Sequence, residues 1–265
     1  MRVRGNVRTT DLDVTIATLN SGKTIARCLQ HIQENLPHHN IIVVDGGSKD
    51  NTIEICNSFD AKVIETNLLL GPTRFMQAKH STTEWIVYVD SDVYLGPKWW
   101  PRIKQELGES VGVVNTRCRV KCSYPEYHRF FVHEWNRRTP KISVSFSNTV
   151  TRRRTVLDCP QLKHVHAGED AVFFDHVEKQ GLKIKTVPGY FAYHDRDIYL
   201  HHPSAYYRMG ISSAVSNLRL IRLYLRKNMQ WLKYTRDKGR FNLRLLLYLN
   251  KLAVNRAAGT LCSRF

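Results

Sequence analysis

The side chains able to do chemistry in this 265-residue chain are acids set at the ends of apolar runs. Asp45 closes the run NIIVVD and is followed at once by Gly46, Gly47 and Ser48, a tight turn where backbone can approach a ligand closely. Asp90 and Asp92 flank Ser91 at the end of WIVYVD. Carboxylates two apart on extended backbone point to one side. There they can hold a hard divalent cation, Mg²⁺ or Mn²⁺, that bridges two phosphates. Such a cation is a Lewis acid for the charge that grows on a departing diphosphate. A third signal, Glu169 and Asp170 after Gly168, opens a helical pattern. The helix dipole alone favours acids there, and a carboxylate beside a reacting hydroxyl can also serve as general base. Taken singly these motifs are weak, since D-x-D arises often by chance and VVDGGS fits any tight strand-to-helix turn. Their order along the chain carries the weight.

The elements that must position them alternate through the first two thirds. Runs at 12–18, 40–45, 62–65 and 85–90, rich in β-branched residues, read as buried strands. Ile25, Leu29 and Ile32 recur at helical spacing, and 51–59 and 72–81 also read as helices. This alternation predicts an α/β fold with a mostly parallel sheet covered on both faces. In such sheets ligands bind beyond the carboxyl ends of the strands, where the acids stand. After Pro97 the pattern is mixed: a helix at 98–107, a strand at 111–115, an aromatic and basic stretch at 124–138, a strand at 142–150, a helix at 168–180 and a strand at 184–194. From Pro203 two amphipathic helices, about 203–228 and 241–258, are joined by a turn at Asp237-Lys238-Gly239. The expected organisation is a catalytic domain over 1–200 and a basic helical extension over 201–265.

A hydrophobic content of 42% supports a full core without disulfides or metal staples. The formal charge is +17, and from Ile198 to Phe265 there are 13 Lys and Arg against a single acid, Asp237. Such a surface attracts phosphates, in nucleic acid or in anionic lipid headgroups. The six cysteines are scattered, only Cys118 and Cys122 being close, and no second pair completes a zinc-ligand pattern. Reduced thiols in a cytoplasmic chain are expected. No run reaches the roughly 18 apolar residues that span a bilayer, so the expected membrane relation is peripheral, on the inner face.

VTIATLN, IIVVDGGSKDNT, WIVYVDSDV and GEDAVFF with KQGLKI following occur in that order over about residues 12–210. Together they resemble the successive signatures of family 2 glycosyltransferases of GT-A fold. The resemblance implies a metal-dependent, inverting enzyme that moves a sugar from a nucleotide-diphosphate donor to a glycan or polyprenyl-phosphate-linked acceptor. It places Thr18 and Asn20 by the nucleotide and Asp45 on the base or ribose. Asp90 would help hold ribose and metal, with Asp92 as the direct metal ligand. Asp170 would be the base, with Glu169 its neighbour in acceptor or sugar binding. Arg74 falls at the Arg of the family's A-R-N-x-G segment and would contact the nucleotide or pair with a nearby acid. His194 stands where related enzymes carry a metal- or phosphate-contacting histidine.

The chain departs from the family pattern in places. The usual P-x-Y-N reads Ala17-Thr18-Leu19-Asn20, so the aromatic that packs on the base is missing. The A-R-N-x-G segment reads Thr73-Arg74-Phe75-Met76-Gln77, and only its Arg matches. Asn148 fits loosely the family's polar strand on the acceptor side. Two other readings stay open at this level. A nucleotidyltransferase would also use a nucleotide, Mg²⁺ and an α/β sheet. Gly22-Lys23-Thr24 matches the end of a phosphate-binding loop, but Ala17 stands where that loop needs its first glycine. A nucleic-acid-binding protein would explain pI ≈ 9.8 with clustered Arg, Tyr and Trp, but not the acids at strand ends.

Overall fold

Strands β1 (Leu12–Thr18), β2 (Asn40–Asp45) and β4 (Trp85–Asp90) are buried almost end to end, as runs apolar on both faces require. The computed structural model describes residues 12–121, 145–165 and 168–195. Helix α1 (Ile25–Asn35) turns Ile25, Cys28, Leu29 and Ile32 inward, one stripe at helical spacing. Helix α2 (Thr52–Ser58), strand β3 (Lys62–Glu65) and helix α3 (Leu70–His80) complete the alternating half.

The second half supplies β5 (Val93–Leu95), α4 (Trp99–Ile103) with a 3₁₀ turn at Lys104–Glu106, and β6 (Val111–Lys121). Then come β7 (Asn148–Arg152), α5 (Arg153–Leu157), a 3₁₀ turn at Pro160–Lys163, α6 (Glu169–Lys179) and β8 (Lys183–Asp195). All eight described strands join one sheet in the order β3-β2-β1-β4-β7-β6-β8-β5. The pairs β1–β2, β1–β4, β2–β3 and β6–β8 are parallel, whereas β7 runs antiparallel to β4 and β6, and β5 antiparallel to β8. Because β7 reverses twice, β6 and β8 point the same way as β1, β2 and β4. Their carboxyl ends therefore share one edge of the sheet.

Two apolar clusters flank the sheet. Leu12, Val14, Ile16, Val87 and Val89 pack with the α1 stripe, while Ile86, Tyr88 and Val113 pack with Phe146, Phe173 and Phe174. Each such side chain contributes about 1.5–3 kcal/mol by leaving water, which holds the strand ends in register. At the amino end, the buried Asp13 carboxylate accepts from the Thr82 and Thr83 backbone N–H groups (2.5 and 3.2 Å), the Thr82 hydroxyl (3.2 Å) and the Asn40 amide (2.9 Å). It staples β1 to its neighbours far from the acids at the other edge.

The four alternating strands are observed at the expected bounds and the helices α2 and α3 with bounds shifted by one or two residues, whereas the strand expected at 111–115 runs on to Lys121 and the sheet is mixed beyond β4. Strand β5, three residues long, was not expected. The strand expected at 142–150 begins at Asn148, after a turn over 146–147, and its first residues lie outside those described. The helix expected at 98–107 is one α-turn continued by a 3₁₀ turn. The aromatic stretch at 124–138, the helices expected at 203–228 and 241–258, and the boundary near residue 200 lie outside the described residues. Cys28, Cys56 and Cys159 are free thiols.

Candidate active site

At the carboxyl edge, register places Thr18 beside Asp45 and Ala17 beside Asp90. The Asp45 carboxylate is fully buried and accepts four hydrogen bonds: from the Thr18 hydroxyl (2.9 Å), the Gly47 and Ser48 N–H groups (2.9 and 2.7 Å) and the Ser48 hydroxyl (2.5 Å). Gly47 sits at φ 88°, where a side chain would be strained, so the backbone can curl its N–H back onto Asp45. Asn20, at φ 53°, locks the two loops together. Its N–H donates to Ser48 Oγ and its Oδ1 accepts from the Lys49 N–H, both at 2.8 Å. Asp50 completes the turn by accepting from the Gly22 N–H (3.0 Å) and from Thr52.

Besides the β1–β4 ladder, a side-chain contact joins this group to the Asp90–Asp92 turn: the hydroxyls of Ser21 and Ser91 lie 2.8 Å apart. Beyond it, Asp90 Oδ1 takes a charged hydrogen bond from Arg74 Nη2 at 2.6 Å. Arg74 is 2% exposed and lies over the rings of Phe146 and Tyr88, 5.2 and 5.9 Å from their centroids. Its Nε and Nη1 have no partner among the described residues. Asp92 points elsewhere: its Oδ2 is 3.2 Å from His194 Nε2. The backbone fixes that meeting, because β5 pairs Val93 with His194 and the Asp195 N–H donates to the Asp92 carbonyl at 2.8 Å.

Glu169 and Asp170 open α6, where orphan N–H groups and the helix dipole favour negative charge. Asp170 Oδ1 accepts from the Phe146 N–H at 3.0 Å, the same phenylalanine whose ring lies beneath Arg74. Burial raises the Glu169 carboxyl above its ordinary value, against the pull of the Arg74 guanidinium. Burial and then the adjoining Glu169 push Asp170 up to about 7. For Arg74, burial works against the charge, but Asp90, Glu169 and Asp170 outweigh it and raise the guanidinium above its ordinary value. One cation thus faces three carboxylates in a poorly solvated pocket. Such an arrangement leaves a carboxyl that exchanges a proton near neutrality.

The structure therefore gathers Thr18, Asn20 and Asp45 into one network, and Asp90, Arg74, Glu169 and Asp170 into a second, with Asp92 and His194 paired beside it. Arg74 is turned inward onto Asp90. Asn148 is buried in the sheet, its Oδ1 accepting from the Thr116 N–H and hydroxyl at 3.0 Å each. Sequence reasoning passed over Ser21, Ser91 and Phe146 as site residues. The two serines flank recognised motifs, but their contact spans 70 residues and left no local signal.

No curated protein sequence matches the chain. Among solved structures, a mycobacterial protein is 18% identical, with a TM-score of 0.50, over 71% of this chain and 66% of its own. Glucosyl-3-phosphoglycerate synthase from Mycobacterium tuberculosis, in complex with Mn²⁺, uridine diphosphate and glucosyl-3-phosphoglycerate, is 17% identical with a TM-score of 0.52, over 71% of this chain and 72% of its own. The same enzyme with Mn²⁺, UDP-glucose and phosphoglyceric acid gives the same identity, coverage and score. These likenesses establish the fold as that of GT-A glycosyltransferases. Residues 13–179 match the family described as glycosyl transferase family 2, and the chain belongs to that family.

Proposed function

We propose that the chain is an inverting glycosyltransferase that moves a sugar from a nucleoside-diphosphate donor, with Asp170 as general base. The observation that carries this reading is the Asp90–Arg74–Asp170 pocket beside the Asp92–His194 pair, at one edge of the sheet. Family membership favours sugar transfer over nucleotidyl transfer and over nucleic-acid binding alone. The nucleoside would lie along Thr18, Asn20 and Asp45, with Arg74 and Asp90 between it and the reacting centre. The solved relatives with uridine diphosphate and Mn²⁺ support this class of donor.

Asp92 and His194 fit Mg²⁺ or Mn²⁺. A carboxylate oxygen and an imidazole nitrogen 3.2 Å apart can share one ion. Among the described residues no set of three His, Cys, Asp or Glu side chains converges to hold a metal unaided. Two protein ligands, with Asp90 adjacent, leave positions for phosphate oxygens and water, the common arrangement for a small hard cation. When bound, the ion supplies Lewis-acid stabilisation of the departing diphosphate.

The acceptor hydroxyl attacks the anomeric carbon opposite the diphosphate through an oxocarbenium-like transition state. The new C–O bond forms as the bond to the diphosphate oxygen breaks, and the nucleoside diphosphate leaves with the electron pair. Asp170 takes the hydroxyl proton, for which an affinity near neutrality is suited. Glu169 keeps Asp170 basic, and the Phe146 N–H holds the carboxylate in place. The family resemblance implies a glycan or a polyprenyl-phosphate-linked acceptor, and the 13 cations after Ile198 suit any acceptor that carries phosphate.

The direct test is a panel of UDP-, GDP- and dTDP-sugars assayed for Mn²⁺-dependent turnover. Wild-type protein should hydrolyse or transfer from at least one, and Asp92→Ala should abolish this with an unchanged circular dichroism spectrum. Activity of Asp92→Ala at the wild-type rate would sink the metal assignment. No described helix is long and apolar enough to cross a membrane. Liposomes with anionic lipid should float full-length protein and leave a 1–200 truncation behind; equal flotation removes the lipid role of 201–265.

A further inference from the structure

Strand β6 changes character halfway. From Val111 to Thr116 every side chain is buried, whereas beyond it Arg117, Arg119 and Lys121 are exposed in alternation with half-buried Cys118 and Val120. Residues at i, i+2 and i+4 of a strand stand on one side, so three cations form a row. Their neighbours on β8 are Tyr190, Tyr193 and Asp195, paired with Arg117, Arg119 and Lys121 respectively. Tyr190 is 50% and Tyr193 48% exposed, and the Arg119 guanidinium lies 5.9 Å from the Tyr190 ring centroid. Among the described residues, neither arginine forms an ion pair.

The local sequence builds this strip. After a shift between Val111 and Val113, register runs evenly to Thr116 against Val187, then jumps to Arg117 against Tyr190 and Cys118 against Ala192. The residues bulged out include Pro188, which has no N–H to offer a ladder, and Gly189 at φ 109°. Bulges of this kind re-aim side chains beside functional sites. The strip also reaches the carboxyl edge that carries the candidate active site, with Tyr193 and Asp195 on its side of β8 and His194 on the other. His194, the partner of Asp92, lies between Tyr193 and Asp195 and pairs with Val120.

Guanidinium groups bind phosphate through paired hydrogen bonds. A tyrosine face offers an apolar plate with a polar tip, suited to the flat side of a sugar or a short carbon chain. We infer that Arg117, Arg119, Tyr190 and Tyr193 form the acceptor subsite, and that the acceptor carries a phosphate monoester close to the hydroxyl that is glycosylated. The inference deepens the glycosyltransferase reading and rests on it: the strip selects the acceptor, while the strand-end acids handle the donor. Charge complementarity calls for a phosphate, and a strip bounded by the bulge at Pro188-Gly189 and by Asp195 has room beside it for a small soluble compound, not for a polyprenyl chain.

The test has a binding arm and a turnover arm. Calorimetry compares glycerol 3-phosphate with glycerol, and 3-phosphoglyceric acid with glyceric acid, on full-length wild type and on the double variant Arg117→Gln/Arg119→Gln. A phosphorylated compound should bind wild type at least tenfold more tightly than its phosphate-free partner. Each lost guanidinium should weaken it about tenfold or more, with a steep salt dependence. Farnesyl phosphate in detergent micelles is run beside them. In the turnover arm, donor hydrolysis by the double variant should equal wild type while transfer to the phosphorylated acceptor falls with binding. No preference for phosphate in wild type, a preference untouched by the double variant, or binding confined to farnesyl phosphate each overturns the inference. Absence of donor turnover in wild type refutes the glycosyltransferase reading and with it the subsite as an acceptor site, whereas normal turnover without phosphate preference refutes the subsite alone.

Discussion

Replacing Asp170 with Asn should make the protein more stable in alkaline solution while disabling it as a catalyst. The Asp170 carboxyl is raised from 3.8 to about 7 by burial and by Glu169. In the unfolded chain it ionises near its ordinary value, so the folded chain holds the proton more tightly. The stability tied to that proton is intact below about pH 4, declines between the two values and is gone above about pH 7. Each unit of displacement corresponds to about 1.4 kcal/mol, and part of the total belongs to Glu169 in the same pocket, so ionising Asp170 costs about 2–4 kcal/mol. Asparagine has the same shape, does not ionise and keeps an Oδ1 for the Phe146 N–H. Urea unfolding followed by circular dichroism, with chelator present, reads the difference. At pH 4 the variant should match wild type, and at pH 8 it should exceed it by about 2–4 kcal/mol. Its kcat should fall about 10²–10⁴-fold, with donor affinity little changed. A variant no more stable than wild type at pH 8 would refute the burial argument, and one with undiminished kcat would remove Asp170 as the base.

Arg74→Gln removes the cation facing Asp90, Glu169 and Asp170, and breaking a buried pair on one side costs about 3–5 kcal/mol. The deficit should be larger at pH 8 than at pH 5, where Asp170 holds its proton; equal loss at both would mean that Asp170 does not share that charge. Asp13→Ala strips partners from the Thr82 and Thr83 N–H groups and should cost about 2–3 kcal/mol at pH 7 without changing kcat/KM. Burial would raise Asp13, but its four hydrogen bonds outweigh that and hold it below its ordinary value. Its contribution is therefore present above about pH 4 and lost as pH falls through the folded value. The penalty of Asp13→Ala should accordingly shrink in unfolding measurements near pH 3, and a constant penalty would contradict the assignment.

The first four strands and three helices were legible because each depends on its own residues. Ile25, Leu29 and Ile32 mark a helix face wherever the chain goes, and IIVV marks a buried strand. Motif positions were legible for the same reason: Asp45 and Asp90 end strands that pair in parallel with β1, and Asp92 follows Asp90 by two residues, so one edge collects them. Strand β5 was not, because Val93-Tyr94-Leu95 is too short to show a period and exists only through pairing with β8, about 100 residues later. The inward turn of Arg74 was equally hidden. It depends on Phe146 arriving beneath the guanidinium and on Asp90 reaching it, contacts that no single stretch contains. His194 was placed by resemblance, but its meeting with Asp92 comes from the β5–β8 ladder. The proton affinity of Asp170 is a property of the assembled pocket.

The Asp45 turn has a consequence for how fast a ligand can be taken up. Its carboxylate, the Thr18 and Ser48 hydroxyls, two backbone N–H groups and the Asn20 clasp are already mutually satisfied. A loop wired in this way has surrendered its conformational freedom during folding, so a nucleoside bound there, as proposed, would meet a rim that is preorganised. Little entropy remains to be lost on association, and capture there should be limited by diffusion and orientation, not by rearrangement of the turn.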